Sequence, residues 1–390
     1  MRNFEAEQVK KVVTSGIRIF YDKATALMSK GIDVVDFTIG RPDFPTPSHI
    51  CDSAKRALDL GQVHYTPNAG LIELRRAIAQ KANDDGVEHY KPETEVIVTI
   101  GACEALAVAI GSFIGPEDEV LIPSPHWPVY VNLTLMNLGR PVFIPLKGKD
   151  GFQLDPSDVE GAITPKTKVL IINNPHNPTG TVLTPKNLHA IADLASSRDL
   201  LIIADEVYEK IIFDGARFTS FPSIKGMRER TIYINACSKT YSMTGWRIGW
   251  TCAPEPLASI MLKVHQQLVT CPASFAQAGA VKAIEGPQDS VAIMVAEFAK
   301  RRSVMLSELS TIPRISITAP MGTFYAFVDI RGLNRGSSNQ VALQMIEEAH
   351  VAVVPGSSFG EAGEGYIRLS LCCNTERLLE GIKRIRAWLE

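Results

Sequence analysis

The chain has 390 residues, 45% of them hydrophobic and 21% charged, with a formal net charge of −2 at pH 7. That length calls for a large domain with a smaller one beside it, the composition is that of a globular protein with a substantial core, and the near-neutral balance excludes the basic excess of a general nucleic-acid binder. The seven cysteines (Cys51, Cys103, Cys237, Cys252, Cys271, Cys372 and Cys373) are odd in number and lack paired C-x-x-C spacing, which argues against a disulfide framework or a metal site and for free thiols in a reducing compartment. Residues 1–30 carry charges throughout and no continuous apolar run, so neither a signal peptide nor a membrane anchor is expected, and the expected location is cytoplasmic.

In chain order, the stretch from Phe4 to Lys30 sets Ile17, Phe20, Tyr21, Ala24, Leu27 and Met28 at helical spacing among charges and predicts an amphipathic helix. Gly31 stops it, and Asp33 to Ile39 predicts a short strand closed by Gly40 and a proline-punctuated turn. From Pro47 to about Gly286 the pattern predicts helices over 48–60, 70–84, 102–113 and 185–197, and strands over 119–122, 141–144, 168–172, 200–204, 231–234 and 248–252. Elements alternating at this spacing predict an α/β fold with a doubly wound, mostly parallel sheet. A long helix over 289–310 then leads to strands near 315–318, 323–329, 351–354 and 366–370, with helices over 338–349 and 375–388. The expected division is an amino-terminal segment 1–46 belonging to the small domain, a large domain 47–286, and an interdomain helix with the carboxy-terminal small domain over 287–390.

Three of the apolar runs end in polar clusters. Leu170-Ile-Ile172 leads into Asn173-Asn-Pro-His-Asn-Pro-Thr-Gly180, Leu200-Leu-Ile-Ile-Ala204 into Asp205-Glu-Val-Tyr208, and Thr231-Ile-Tyr-Ile234 into the segment from Asn235 to Gly249, where Lys239 and Arg247 stand among small and hydroxyl residues. Parallel strands that deliver polar residues at their carboxyl ends are the pattern of an open α/β site. A lysine in such a place can form a Schiff base.

At these residues the chain resembles the class I aminotransferases of the pyridoxal-phosphate fold-type I superfamily, in the branch holding aspartate and aromatic aminotransferases. The motifs follow the family's order from Gly40-Arg-Pro-Asp-Phe-Pro-Thr-Pro47 to Tyr366-Ile-Arg-Leu-Ser370. The resemblance implies pyridoxal 5′-phosphate as cofactor, which needs a tether, a countercharge for its ring nitrogen, a donor to its ring oxygen, a phosphate cradle and a face to stack on. Lys239 is the implied tether and general base. Asp205 closes a hydrophobic strand, where a carboxylate is costly without a partner, and the ring nitrogen is the implied partner; Tyr208 is the implied donor to the ring oxygen. Asn177, between Pro175 and Pro178, is aimed by a stiff loop at the ring oxygen and at a substrate carboxylate. The strand–glycine–helix run Thr99-Ile-Gly-Ala-Cys-Glu-Ala-Leu106 suits a phosphate, with Gly101, Ala102 and Cys103 offering backbone groups, Arg247 a bidentate clamp and Ser238 a further contact.

Trp127, in Pro123-Ser-Pro-His-Trp-Pro-Val-Tyr130, is the implied stacking ring, and Tyr65, in His64-Tyr-Thr-Pro-Asn-Ala-Gly70, resembles the tyrosine that reaches the phosphate of the neighbouring subunit of a homodimer. Arg368 is the implied fork for the substrate α-carboxylate, with the Gly40 backbone as a second contact. Two positions depart from the family's usual pattern: Ala236 and Cys103 stand where relatives carry a hydroxyl, or in the second case a hydroxyl or lysine. The activity implied is ping-pong transfer of the amino group of an L-amino acid, aspartate or aromatic favoured, to a 2-oxoacid such as 2-oxoglutarate. A carbon–sulfur β-lyase or cyclopropane-forming synthase of the same fold uses the same lysine, aspartate and arginines and stays open at this point, as does a non-catalytic module that binds the cofactor. Arg18, on the first predicted helix, reads either as a surface cation or as a group for a distal carboxylate.

Overall fold

The computed structural model describes residues 4–390. Its strands are β1 (Val35–Asp36), β2 (Val96–Thr99), β3 (Glu119–Ser124), β4 (Arg140–Pro145), β5 (Thr167–Asn173), β6 (Leu201–Asp205), β7 (Thr231–Ala236), β8 (Gly249–Cys252), β9 (Ser316–Ile317), β10 (Tyr325–Asp329), β11 (Val351–Ala352), β12 (Val354–Pro355) and β13 (Tyr366–Ser370). Seven of them form one sheet in the order β2-β8-β7-β6-β5-β3-β4. The neighbours from β4 to β7 are all parallel, and β8 alone runs against both strands beside it.

Side chains alternate between two apolar layers. Val169 and Ile171 of β5 enter one core cluster while Leu170 and Ile172 enter another, and β6 divides Ile203 from Ile202 and Ala204 in the same way. Helices cover both faces, so the strands read as unbroken hydrophobic runs, and each fully buried Leu or Ile contributes about 1.5–3 kcal/mol. The Ala102–Phe113 helix lays Ala105, Leu106 and Ile110 on one face, and the Pro185–Ser197 helix lays Leu188, Ile191 and Ala195 on the other. The second helix begins where the Thr184 hydroxyl accepts from the Asn187 N–H and Pro185 occupies the first position, where no N–H partner is needed.

Register decides what stands at the carboxyl edge. Asn173 pairs with Asp205, Asp205 with Ile234, and Ala236 and Thr99 both with Gly249. A polar cluster from three strand ends is thereby brought to one line. The carboxy-terminal strands form a separate antiparallel sheet, β12-β13-β10-β9, while β1 near the amino end pairs in parallel with β11. Both ends of the chain share one core, in which Phe20, Val35 and Phe37 meet Phe298, Phe324, Leu369 and Ile382. Arg368 lies within β13, opposite Phe327 of β10 and Val354 of β12.

The amino-terminal stretch differs from the single helix read from its periodicity. A short turn at Val9–Lys11 and a helix at Gly16–Met28 flank an extended segment, because the Asn132 side chain accepts from the Val13 N–H at 3.2 Å and donates to the Val13 carbonyl at 3.0 Å. The strand expected over Asp33 to Ile39 shrinks to the two residues that find a partner in β11. Helices at Pro128–Met136, Pro156–Ala162, Glu255–Leu268 and Ser274–Glu285 carried no sequence expectation. The last is built of small residues, and its Gly279 lies so close to Trp246 that a Cβ there would meet the indole at 2.7 Å.

A buried ionic network ties the site edge to the helices beneath. Lys81, in the Ile72–Asp84 helix, pairs with Glu209 and, at 2.6 Å, with Asp85. Tyr233 donates to Glu209 at 3.2 Å, Asn235 donates to the Tyr233 hydroxyl at 2.8 Å, and the Asn235 side-chain oxygen accepts from the Ala236 N–H at 2.7 Å. Glu209 follows Tyr208, and Ala236 precedes the turn bearing Lys239, so one network steadies both segments. Because one partner of a buried pair cannot be removed without stranding the other charge, Lys81→Met should lower unfolding stability by about 3–5 kcal/mol, measured by urea denaturation.

Candidate active site

The strand ends open onto a cavity of about 230 Å³, lined on the sheet side by Asn173, Asp205 and Ala236 and on the opposite side by Gly40, Tyr325 and Arg368. Lys239, Tyr208, Asn177, Trp127, Ala102, Cys103, Ser238 and Arg247 complete most of the wall. Of the residues singled out in the sequence, the structure therefore gathers all but Gly101, Tyr65 and Arg18 around one space. Gly101 stands just behind the wall, and Tyr65 is elsewhere.

Lys239 donates from Nζ to the Gly40 carbonyl at 2.6 Å and lies 6.0 Å from the Tyr208 ring centre and 5.8 Å from that of Phe324. Burial lowers its pKa from 10.5 to about 8, with the Arg368 and Arg247 charges acting the same way and the Cys372 and Cys103 thiols opposing. Asp205 is 2% exposed and accepts from the Tyr130 hydroxyl at 2.7 Å and from the Val207 N–H at 3.4 Å. Burial raises its carboxyl to about 6 against those two bonds, which pull it down. A carboxylate in that position is short of a cation, since among the described residues no basic side chain forms an ion pair with it.

Arg368 has the converse shortage. It is 1% exposed, donates to the Asn177 side-chain oxygen at 3.2 Å and the Thr38 carbonyl at 2.9 Å, and has a buried Nε without a partner. Its guanidinium lies 4.1 Å from the Tyr325 ring centre and 5.0 Å from that of Phe359, so aromatic faces hold the fork while no carboxylate among the described residues pairs with it. Tyr208 and Tyr325 bring their hydroxyls to 3.3 Å, and burial raises both above the usual phenol range.

At the other end, the Ala102–Phe113 helix starts without a side-chain cap, behind Gly101 at φ +85°. Arg247 donates to the Ile100 carbonyl at 3.2 Å and the Thr244 carbonyl at 3.0 Å, and itself adopts φ +59°, a strained setting for a side-chain-bearing residue. A Cβ at Gly101 would meet Arg247 Nη2 at 2.6 Å, and one at Gly249 would meet the Gly101 carbonyl carbon at 2.7 Å. Helix N–H groups and a guanidinium thus share a corner where only glycine fits, an arrangement suited to an oxyanion.

Tyr65 is 88% exposed and borders a different hollow, with His64, Thr66 and Ser274. Arg18 is a surface cation paired with Asp22 at 3.1 Å and set over Tyr21, although its neighbour Ile17 reaches the cavity. Sequence reasoning missed Tyr130, Tyr325 and Thr38. Tyr130 had a signal, one helical turn beyond Trp127 and in edge contact with it at 5.7 Å. The other two depend on contacts with distant parts of the chain and had none.

A family model described as "Aminotransferase class I and II" matches residues 32–385. An aromatic-amino-acid aminotransferase 2 of Thermococcus litoralis is 39% identical over 99% of this chain and 98% of its own length, and an aspartate aminotransferase of Pyrococcus abyssi is 40% identical over 97% of each. The solved structure of aspartate aminotransferase from Thermus thermophilus with maleate superposes with a TM-score of 0.94 over 100% of both chains at 34% identity.

Below about pH 8 the Lys239 amine is protonated and above it neutral. In cofactor-free protein its reaction with an amine-selective acylating reagent should therefore rise through about pH 8, well below exposed lysines; peptide mapping of the labelled site across a pH series measures it.

Proposed function

The chain belongs to the class I and II aminotransferases, is a transaminase, and from that premise we infer that the cavity holds pyridoxal 5′-phosphate and passes the amino group of an L-amino acid to a 2-oxoacid. The observation that carries this reading is the convergence around one space of a half-buried amine and a buried carboxylate and guanidinium, each short of an opposite charge. The fit to the cofactor rests on the same chemistry. Asp205 would hold the proton on the ring nitrogen, Lys239 would be the covalent tether, Tyr208 and Asn177 would face the ring oxygen, Trp127 would stack on the ring, and Gly101, Ala102, Cys103, Ser238 and Arg247 would take the phosphate.

When bound, the cofactor supplies a carbonyl carbon that exchanges amines and a protonated ring that takes up the electron pair left by the Cα–H bond. The chain's own residues do the rest. Arg368 fixes the substrate α-carboxylate in two contacts, with the Gly40 backbone beside it, and so aims one Cα–H bond. Freed by the incoming amino acid, the Lys239 amine takes that proton, and its lowered pKa leaves a useful neutral fraction near pH 7 to 8. Asp205, held by Tyr130, would supply the negative charge that keeps the cofactor's ring nitrogen protonated. A 2-oxoacid then enters the same clamp and the proton moves back.

For the donor, an aromatic amino acid is favoured over aspartate. The lining cations are Lys239, Arg247 and Arg368, each of which already has a role in this reading, while Ile17, Trp127 and Tyr325 supply apolar surface. The named activities of the relatives from Thermococcus and Pyrococcus fit either donor. Tyr65 stands exposed on a loop whose neighbours are anchored from inside: Gln277 accepts from the Leu71 N–H at 2.7 Å and donates to Thr66 at 3.1 Å. A stiff loop presenting an aromatic outward supports a homodimer in which Tyr65 reaches the neighbouring phosphate. Seven free thiols accord with a reducing, cytoplasmic setting; among the described residues no helix is long and apolar enough to cross a membrane.

The test is the visible spectrum of protein loaded with pyridoxal phosphate, followed while single L-amino acids are added without oxoacid. Conversion of the cofactor band by tyrosine or phenylalanine more readily than by aspartate is expected; a band that changes only with release of ammonia would sink the transfer reading for these donors. Arg368→Lys should raise the KM of both amino acid and oxoacid by about 10- to 100-fold, the loss of one charge-assisted bond, as read by initial rates.

A further inference from the structure

Behind the cavity, a histidine and a glutamate 161 positions apart meet in the interior. His265, fully buried in the Glu255–Leu268 helix, places Nδ1 2.6 Å from Oε1 of Glu104, the third residue of the Ala102–Phe113 helix. The other ring nitrogen faces the Asn68 carbonyl at 2.8 Å. A carbonyl only accepts, so Nε2 donates there, and Nδ1 and the carboxyl group are joined through one proton. The second carboxyl oxygen of Glu104 accepts from the Ile100 N–H at 2.6 Å.

Ile100 immediately precedes Gly101, and its carbonyl is the acceptor for Arg247 Nη2. The peptide groups flanking Ile100 are therefore held from two directions: Glu104 fixes the N–H and Arg247 meets the carbonyl. Gly101, at φ +85°, leaves no room for slack between them. A turn of this segment would move the start of the helix and Arg247 together. Neither Glu104 nor His265 reaches the cavity wall.

We propose that Glu104 and His265 are positioning residues that hold the Ile100–Gly101 turn, and through it Arg247 and the first helix N–H groups, in the geometry that binds the cofactor phosphate. The proposal rests on the reading that this corner takes the phosphate. Through Asn68, the same pair anchors the loop that carries Tyr65, so the turn and that loop share a single internal support.

The experiment compares the affinity of cofactor-free protein for pyridoxal phosphate with its affinity for pyridoxal, which lacks the phosphate, in wild type, Glu104→Ala, Glu104→Gln, His265→Gln and Arg247→Ala, with thermal melting alongside. Wild type should prefer the phosphorylated aldehyde strongly, and Arg247→Ala should lose most of that preference. Glu104→Ala should lose about 10- to 100-fold of it, the weight of a bond to a charged group, with pyridoxal affinity nearly unchanged. Glu104→Gln should keep it within about threefold, since an amide still accepts from Ile100 and donates to His265. Glu104→Ala with the wild-type preference, beside an Arg247→Ala that has lost it, would reduce the pair to a core contact and overturn the proposal whatever the melting temperature. If Glu104→Ala does not fold, His265→Gln decides by the same ratio: a reduced preference supports the proposal and a wild-type one overturns it. Equal binding of the two aldehydes by wild type would instead remove the phosphate reading of the corner, and the proposal with it.

Discussion

A charge at the end of an apolar strand is expensive unless something answers it, and that cost governs this structure. Asp205 and Arg368 are withdrawn from water and Lys239 largely so, yet their partners within the chain are hydroxyls, amides, carbonyls and aromatic faces rather than opposite charges. Such partners orient a charged group without neutralising it. The free energy of completing the charge is thus left for a ligand, and the groups are aimed before it arrives.

The rest of the architecture makes that unpaired state tolerable. Continuous apolar strands, covered on both faces, form a frame rigid enough to hold strand ends in register. Where the frame meets the carboxy-terminal sheet, Arg301 bonds Asp43 at 2.7 Å and the Leu371 carbonyl at 3.1 Å while lying over Phe44 and Phe298. That contact fixes the turn after Gly40, whose carbonyl receives Lys239, against the chain just beyond β13, which carries Arg368. Fully paired charges such as Arg301–Asp43 and Lys81–Glu209 hold the unpaired ones in place.

Much of this could be read from the chain, and the reasons are local. The polar residues Asn173, Asp205 and Asn235 announce the strand ends because an apolar run stops abruptly at each of them. The Pro185–Ser197 helix was legible because its cap, its proline and its apolar spacing agree. What escaped notice depends on closure between distant segments: Tyr130 matters through a carboxyl group 75 positions away, and Glu104 through a ring 161 positions away. The helix at Ser274–Glu285 escaped for a related reason, since small residues such as Gly279 acquire meaning only from the neighbour they admit. The amino-terminal stretch misled because its periodicity is helical while the Asn132 side chain supplies its backbone with bonds that no local pattern encodes.

The charge inventory of the cavity wall, three cations against the single carboxylate of Asp205, has an effect on how the protein meets its solution. A concave, partly dry surface with a net positive charge concentrates anions, and the two guanidinium groups present forks that do not distinguish among small oxyanions and carboxylates. Sulfate, phosphate and acetate from an ordinary buffer are therefore competitors for the cavity, and each stabilises the fold by an amount that grows with the logarithm of its concentration relative to its Kd. The apparent affinity of any ligand becomes a property of the protein together with its salt.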